Sequence, residues 1–265
     1  MTAGVPHLNH LEHNRAVIAW SEQGTGPAVI WAHGLLANNS SLERMGIFNW
    51  TPVAQSGRRL IRYDARGHGQ SSAEPKAEDF TYASLADDLL AIAAAVQPGS
   101  PVDAIGSSMG TATILHAAVK APARFRRLVL AIPGTAWESR QAQGALYTQA
   151  ADRIEREGEP AIQQLVARIT RPAIFDSIPR LPIEVGLPLL PAVLRGVGRS
   201  DLPSPDELRQ LSMPALVLAW KGDSTHPVAT SERLAAILPN VELRIADSLS
   251  NIQTWGRVAA DFLAG

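Results

Sequence analysis

Short runs of consecutive apolar residues recur along most of this chain, with amphipathic stretches between them. Runs at 28–32, 102–105 and 215–220 are typical of strands that are covered on both faces of a sheet. Between them, 82–96 places Leu85, Leu89, Ile92 and Val96 on one side of a helix. Strands that alternate with helices predict an α/β fold, with a mostly parallel, doubly wound sheet between helical layers.

The alternation stops at about residue 135 and resumes at about 212. Helical patterns at 141–157 and 161–170 are followed by a stretch rich in Pro and Leu at 171–205. An apolar insertion of this kind is typical of a lid over a site. We therefore predict a core domain made of 1–134 and 212–265, with a helical lid at 135–211. The alternative is a helical excursion on the surface that gates nothing.

Composition narrows the classes of function. The 265 residues are 46% hydrophobic, carry a net charge of −1 and include no cysteine. Neither nucleic acid nor an anionic membrane is an expected partner, and a thiol nucleophile or thiolate metal site is excluded. Met1–His13 shows neither a basic start nor an apolar core, and no apolar run reaches the ~18 residues of a membrane span. The expected location is the cytoplasm.

The chemistry centres on the pentapeptide Gly106-Ser107-Ser108-Met109-Gly110, which lies between a predicted strand and a predicted helix. G-x-S-x-G in this context is the signature of a nucleophile elbow. The two glycines suit a sharp turn in which β-carbons would collide, and the turn presents the Ser108 hydroxyl above the sheet. The following helix directs N–H groups at a developing oxyanion.

Three further stretches add to this picture. The strand at 28–32 runs into His33-Gly34-Leu35, a turn that suits an oxyanion-hole arm. The loop at 64–71 contains Asp64, Arg66 and His68, which we expect to pair among themselves structurally rather than to catalyse. Asp223 lies in a loop directly after the predicted strand at 215–220.

In order and spacing these motifs resemble the α/β-hydrolase family, of the serine esterase or lactonase kind. The resemblance implies that Ser108 is the nucleophile and Asp223 the acid of a triad in the order Ser, Asp, His. It also implies that the backbone N–H groups of Leu35 and Met109 form the oxyanion hole. No cofactor and no metal are implied.

The sequence departs from the family at the base. The family carries its histidine after the last strand, but 246–255 contains none, and no histidine follows His226. His226, three residues after Asp223, is one candidate to replace it, and His33 and His68 are weaker ones. Alternatively the base was removed, by evolution or engineering, and Ser248, Ser250 or Asn251 occupies its place.

Two hypotheses about function follow. The first is a serine hydrolase that cleaves an ester, a lactone or a related acyl compound, and its substrate is a small apolar molecule. The second is a protein of impaired or non-hydrolytic chemistry that binds a ligand on the same scaffold. A metallohydrolase is disfavoured, because the three-residue spacing of His7, His10 and His13 directs neighbours to opposite faces of a strand.

Overall fold

The computed structural model describes residues 7–168, 172–180 and 182–265. In this part of the chain eight strands form one sheet, in the order β1-β2-β4-β3-β5-β6-β7-β8. The first two strands are antiparallel to their neighbours, and the remaining pairs are parallel. The strands are β1 (Asn9–His13), β2 (Ala16–Gln23), β3 (Ala28–Ala32), β4 (Arg59–Tyr63), β5 (Val102–Ser107), β6 (Phe125–Ala131), β7 (Ala215–Trp220) and β8 (Val241–Ala246).

Helices lie between the parallel strands along the chain, and the last two follow β8. They are α1 (Ser41–Arg44), α2 (Thr51–Gln55), α3 (Tyr82–Val96), α4 (Met109–Lys120), α5 (Arg140–Glu157), α6 (Glu159–Arg168), α7 (Leu190–Gly198), α8 (Pro205–Leu208), α9 (Val228–Ile237), α10 (Leu249–Gln253) and α11 (Trp255–Ala264). Short 3₁₀ turns lie at Ala77–Phe80, Pro122–Arg124, Trp137–Ser139 and Ala173–Phe175. Within the described residues, no helix has the length and apolar character needed to cross a membrane.

Each face of the sheet buries its own apolar cluster, which confirms the predicted doubly wound α/β fold. Successive residues of β3 alternate between the two clusters: Ile30 packs with α3 and α4, whereas Trp31 packs with α2 and α11. This follows from the period of two along a strand. Because β3 to β8 are parallel, their carboxyl ends lie at one edge of the sheet, where the loops that follow them can bring distant residues into contact.

The insertion at 135–211 adds no strand to the sheet among its described residues. Its helices α5, α6 and α7 pack around a third apolar cluster that includes Ile154, Ile162 and Val193. The helix expected at 161–170 is observed as α6, and its last two predicted residues lie outside the described ones. The helices α7 and α8 were not predicted. The division into core and lid stays a prediction.

The loop at 64–72 is structural, and its three candidate residues pair among themselves only in part, since His68 Nδ1 donates to Arg66 O. Asp64 instead accepts the backbone N–H groups of Asn39, outside the loop, and Gln70, inside it, at 2.8 Å each. Arg66 instead forms a two-bonded ion pair with Asp88 of α3. Burial outweighs every other influence on His68 and lowers its pKa to about 3. The loop thus holds a neutral histidine inside the protein.

Acid should destabilise the protein through this histidine. Its folded pKa lies below the ordinary value, so the unfolded chain takes up a proton first, and stability is lost as pH falls from about 6.5 towards 3. In H68N the Asn amide can still donate to Arg66 O, the acceptor of the His68 Nδ1–H. Urea unfolding measures the free energy of unfolding that each protein loses between pH 7 and pH 5. This loss should be about 2 kcal/mol smaller in H68N than in the parent.

The exposed His10 offers a matched control. H10N should lose as much unfolding free energy between pH 7 and pH 5 as the parent does. Equal losses in H68N and the parent would contradict a neutral, buried His68.

Candidate active site

The sharp turn predicted for a nucleophile elbow is present between β5 and α4. Ser108 has a positive φ of 52° with ψ −112°, a conformation that a non-glycine residue rarely adopts. A β-carbon on Gly110 would lie 2.0 Å from the carbonyl oxygen of Ala32, and one on Gly106 would lie 2.6 Å from Gly110. Both glycines are therefore required by close backbone approach. Ser108 remains half-buried at the edge of the sheet.

A second element supplies an acid and a histidine from one short loop. This loop, 221–227, leaves β7 and enters α9. His226 Nε2 lies 2.8 Å from Ser108 Oγ, and His226 Nδ1 lies 2.8 Å from Asp223 Oδ2. An ionised carboxylate only accepts, so Nδ1 carries the proton and Nε2 is free to accept from the serine hydroxyl. The structure thus joins Ser108, His226 and Asp223 in one chain of hydrogen bonds.

The Asp223 carboxylate also holds its own loop together. Its Oδ1 accepts the backbone N–H groups of Thr225 at 2.9 Å and His226 at 3.2 Å. Its Oδ2 accepts the indole N–H of Trp220 at 2.9 Å, beside the His226 bond. Burial of the carboxyl raises its pKa, but these hydrogen bonds and the nearby His226 outweigh burial and lower the pKa to about 2. Asp223 is therefore ionised at neutral pH.

The other histidine candidates do not contact the serine. His33 Nδ1 donates to Gly34 O at 2.8 Å, and its Nε2 accepts the backbone N–H of Ala65 at 2.9 Å. Burial lowers the pKa of His33 to about 4. His68 Nδ1 donates to Arg66 O. Both rings have structural roles in the turn and loop that carry them.

The segment where the family places its histidine has another role. Ser248 caps the N-terminus of α10 by accepting the backbone N–H of Asn251, and its hydroxyl also donates to the Asn251 side chain at 2.8 Å. Ser250 is exposed within this helix. These three side chains do not line the cavity beside Ser108.

The two predicted oxyanion donors are aimed by their own peptide planes. The C=O and N–H of a trans peptide point in opposite directions. The Gly34 carbonyl accepts from His33 Nδ1 and from the backbone of Ala37, so the Leu35 N–H points away from both. The Ser108 carbonyl accepts from Ala112 inside the helix, so the Met109 N–H points out of the helix start. Within the described residues, neither N–H donates to a protein acceptor.

A cavity of about 250 Å³ lies beside Ser108 and His226. Its polar lining residues are Ser107, Ser108, Arg180, Asp223, Thr225 and His226, and the remaining lining residues are apolar or glycine. The insertion supplies part of the wall, including Val166, Phe175 and Ile183. A larger cavity of about 440 Å³ between α5, α6 and α7 contains none of the predicted site residues.

Sequence reasoning missed Trp220. Besides its bond to Asp223, the indole packs edge-on against Phe175 at 4.7 Å between ring centroids and stacks on Trp255 at 5.9 Å. A signal was present, since an indole N–H three residues before an acid is within reach of it in a tight loop. The N-terminal histidines do not converge, and among the described residues no group of three or more potential ligands could hold a metal ion.

Fold and site together define the class of protein. The family model described as the alpha/beta hydrolase fold matches residues 27–170, more than half of the chain, including the elbow and the His33-Gly34 turn. The chain belongs to the alpha/beta hydrolase fold family.

Parts or all of the chain are similar to individual proteins. A curated epoxide hydrolase of Caballeronia sordidicola is 32% identical over 134 residues, a match that covers 50% of this chain and 39% of that protein. The solved structure of a hydrolase from Pseudomonas aeruginosa PA01 is 23% identical, with a TM-score of 0.75 and full coverage of both chains. The enol-lactonase of Burkholderia xenovorans LB400 is 20% identical, with a TM-score of 0.78, and covers 97% of this chain and 100% of its own. At these identities the two solved structures establish the fold.

Proposed function

We propose that this protein is a serine hydrolase that cleaves a carboxylic ester, a lactone or a related acyl compound through an acyl-enzyme on Ser108. The observation that carries the proposal is the unbroken series of hydrogen bonds from Ser108 Oγ through His226 to Asp223. The free N–H groups of Leu35 and Met109 support it. The names of the similar proteins, which include an epoxide hydrolase and an enol-lactonase, support hydrolase activity in general.

The reaction begins when Ser108 Oγ attacks the acyl carbon. His226 Nε2 takes the serine proton, and the carbonyl oxygen becomes an oxyanion that the Leu35 and Met109 N–H groups hold. The imidazolium formed is stabilised by the ionised Asp223. Collapse of the intermediate breaks the bond to the leaving alkoxide, which receives the proton from His226.

Water completes the cycle. His226 takes a proton from water as the water oxygen attacks the Ser108 ester. The second tetrahedral intermediate then expels the serine, which is reprotonated by His226. For a lactone, the leaving hydroxyl remains part of the same product molecule. No step requires a cofactor.

The apolar cavity wall favours substrates with an apolar portion of limited size. Each buried methylene contributes about 0.8 kcal/mol, or about fourfold in kcat/KM, until the cavity is full. With p-nitrophenyl esters, we expect kcat/KM to rise from acetate to a medium-length acyl chain and to fall by palmitate. S108A should abolish turnover of every ester.

Absence of Ser108-dependent turnover across acetate, butyrate, octanoate and palmitate would contradict the proposal. Ligand binding that S108A leaves unchanged would then favour the second hypothesis, a non-hydrolytic binding protein.

Cytoplasmic location and the lid role of 135–211 also stay predictions.

A further inference from the structure

The oxyanion arm contains a strained residue that its own sequence does not explain. Leu36 follows the predicted donor Leu35 and has φ 64°, in the left-handed region that glycine or asparagine normally occupies. It is the third residue of a turn that the Ala37 N–H closes onto Gly34 O at 3.3 Å. A leucine held in this conformation requires an outside contact that fixes it.

That contact comes from a segment within the insertion, between α6 and α7. We call residues 183–185 the strap. The backbone N–H of Glu184 donates to Leu36 O at 2.9 Å, and the carbonyl of Glu184 accepts the N–H of Gly69 at 2.7 Å. Val185 forms an antiparallel bridge with His68 and is buried. The strap therefore links the oxyanion arm to the loop at 64–72.

The side chains of the strap make contacts of other kinds. Ile183 lines the cavity beside Ser108. The Glu184 carboxylate accepts from Arg44 Nη2 at 2.6 Å, an ion pair whose arginine is half exposed. Because exposed pairs contribute little, the backbone bonds carry the connection.

We propose that Glu184 is a positioning residue for the oxyanion hole, acting through its backbone N–H. By holding Leu36 O, it keeps Leu36 in the left-handed conformation and so keeps the preceding N–H of Leu35 directed at the oxyanion. The insertion thus contributes to turnover as well as to the cavity wall. This inference rests on the proposed function.

Proline at position 184 tests the N–H directly. E184P removes the donor and the side chain, E184A removes only the side chain, and R44A removes the ion pair from its other end. We expect kcat of R44A to stay within about twofold of that of the parent. We expect kcat of E184P to be about tenfold below that of E184A, with the KM values of these two variants within about threefold of each other. This decrease in kcat is smaller than the factor of about 10²–10³ that deletion of an oxyanion donor costs, because Leu35 keeps its N–H.

A second substitution separates positioning from general damage. Glycine adopts positive φ without strain, so in the L36G background the gap in kcat between E184P and E184A should shrink to about twofold. Circular dichroism checks folding of each variant. If E184P does not fold, L36N and L36V take its place: asparagine tolerates positive φ and valine does not, so kcat of L36V should be at least fivefold below that of L36N.

The outcomes distinguish the two proposals. The role of the strap alone would be overturned if the parent shows Ser108-dependent turnover and one of three results is found. These results are equal kcat in E184P and E184A, a gap between them that L36G does not reduce, and equal kcat in L36N and L36V. Absence of Ser108-dependent turnover in the parent would overturn the proposed function and the role of the strap with it.

Discussion

H226A is expected to lower kcat for a p-nitrophenyl ester by about 10⁴–10⁶, with KM changed far less. His226 Nε2 is the acceptor within hydrogen-bond reach of Ser108 Oγ, at 2.8 Å, so its removal leaves the serine proton without a base. In a complete triad, loss of the base costs about 10⁶ in kcat, and the oxyanion hole and binding still provide about 10³ over water. Steady-state kinetics at neutral pH measure the effect.

The effects of S108A and H226A on kcat should not be additive. Because Ser108 and His226 act as a unit, the double variant S108A/H226A should be no slower than either single variant. H10A changes an exposed histidine and should leave both constants unchanged. A decrease of less than about tenfold in H226A would mean that another group takes the serine proton.

D223N is expected to lower kcat by about 10⁴ while leaving the fold intact. The Asn oxygen can still accept the N–H groups of Thr225 and His226, so the loop keeps its shape. The Asn nitrogen would then lie at the position of Oδ2, where the Trp220 N–H and the His226 Nδ1–H now donate. The Asn NH₂ group is itself a donor and cannot accept the Nδ1–H of His226. His226 should therefore shift to the tautomer that carries its proton on Nε2. That tautomer cannot accept from Ser108.

D223A separates the two roles of the carboxylate. It also removes the acceptor of both loop N–H groups, so thermal unfolding should show a lower Tm for D223A than for D223N. Both variants should have low kcat. Full activity in D223N would show that Asp223 does not set the tautomer of His226.

The elbow and the sheet were predictable because local rules determine them. Apolar runs and the glycine spacing around Ser108 required a buried strand, a sharp turn and a helix, and these are present. The helix at Tyr82–Val96 was predicted to the residue from its apolar period. Such features depend on neighbours in the chain, which a sequence displays directly.

His226 could be proposed from the sequence but not selected over its alternatives. Its reach to Ser108 depends on how the loop at 221–227 turns, and that turn is shaped by four hydrogen bonds to Asp223. One of them comes from Trp220, which appeared only as the end of an apolar strand. Three-dimensional loop geometry of this kind has no periodic signal.

The insertion was the hardest part to predict. The stretch at 171–205 is rich in Pro and Leu, and no helix was predicted there. Pro191 nevertheless lies in the first turn of α7 and Pro205 begins α8, where the missing N–H costs nothing. The bond between Glu184 and Leu36 joins residues far apart in the chain. The positive φ of Leu36 therefore has no local sequence cause.

Activation of Ser108 by His226 is tested most directly by the rate at which a fluorophosphonate labels the intact protein, followed by mass spectrometry. We expect rapid addition of one phosphonyl group to Ser108, none in S108A and labelling at least 10³-fold slower in H226A. Labelling of H226A as fast as the parent, or of S108A at all, would contradict a Ser108 nucleophile activated by His226.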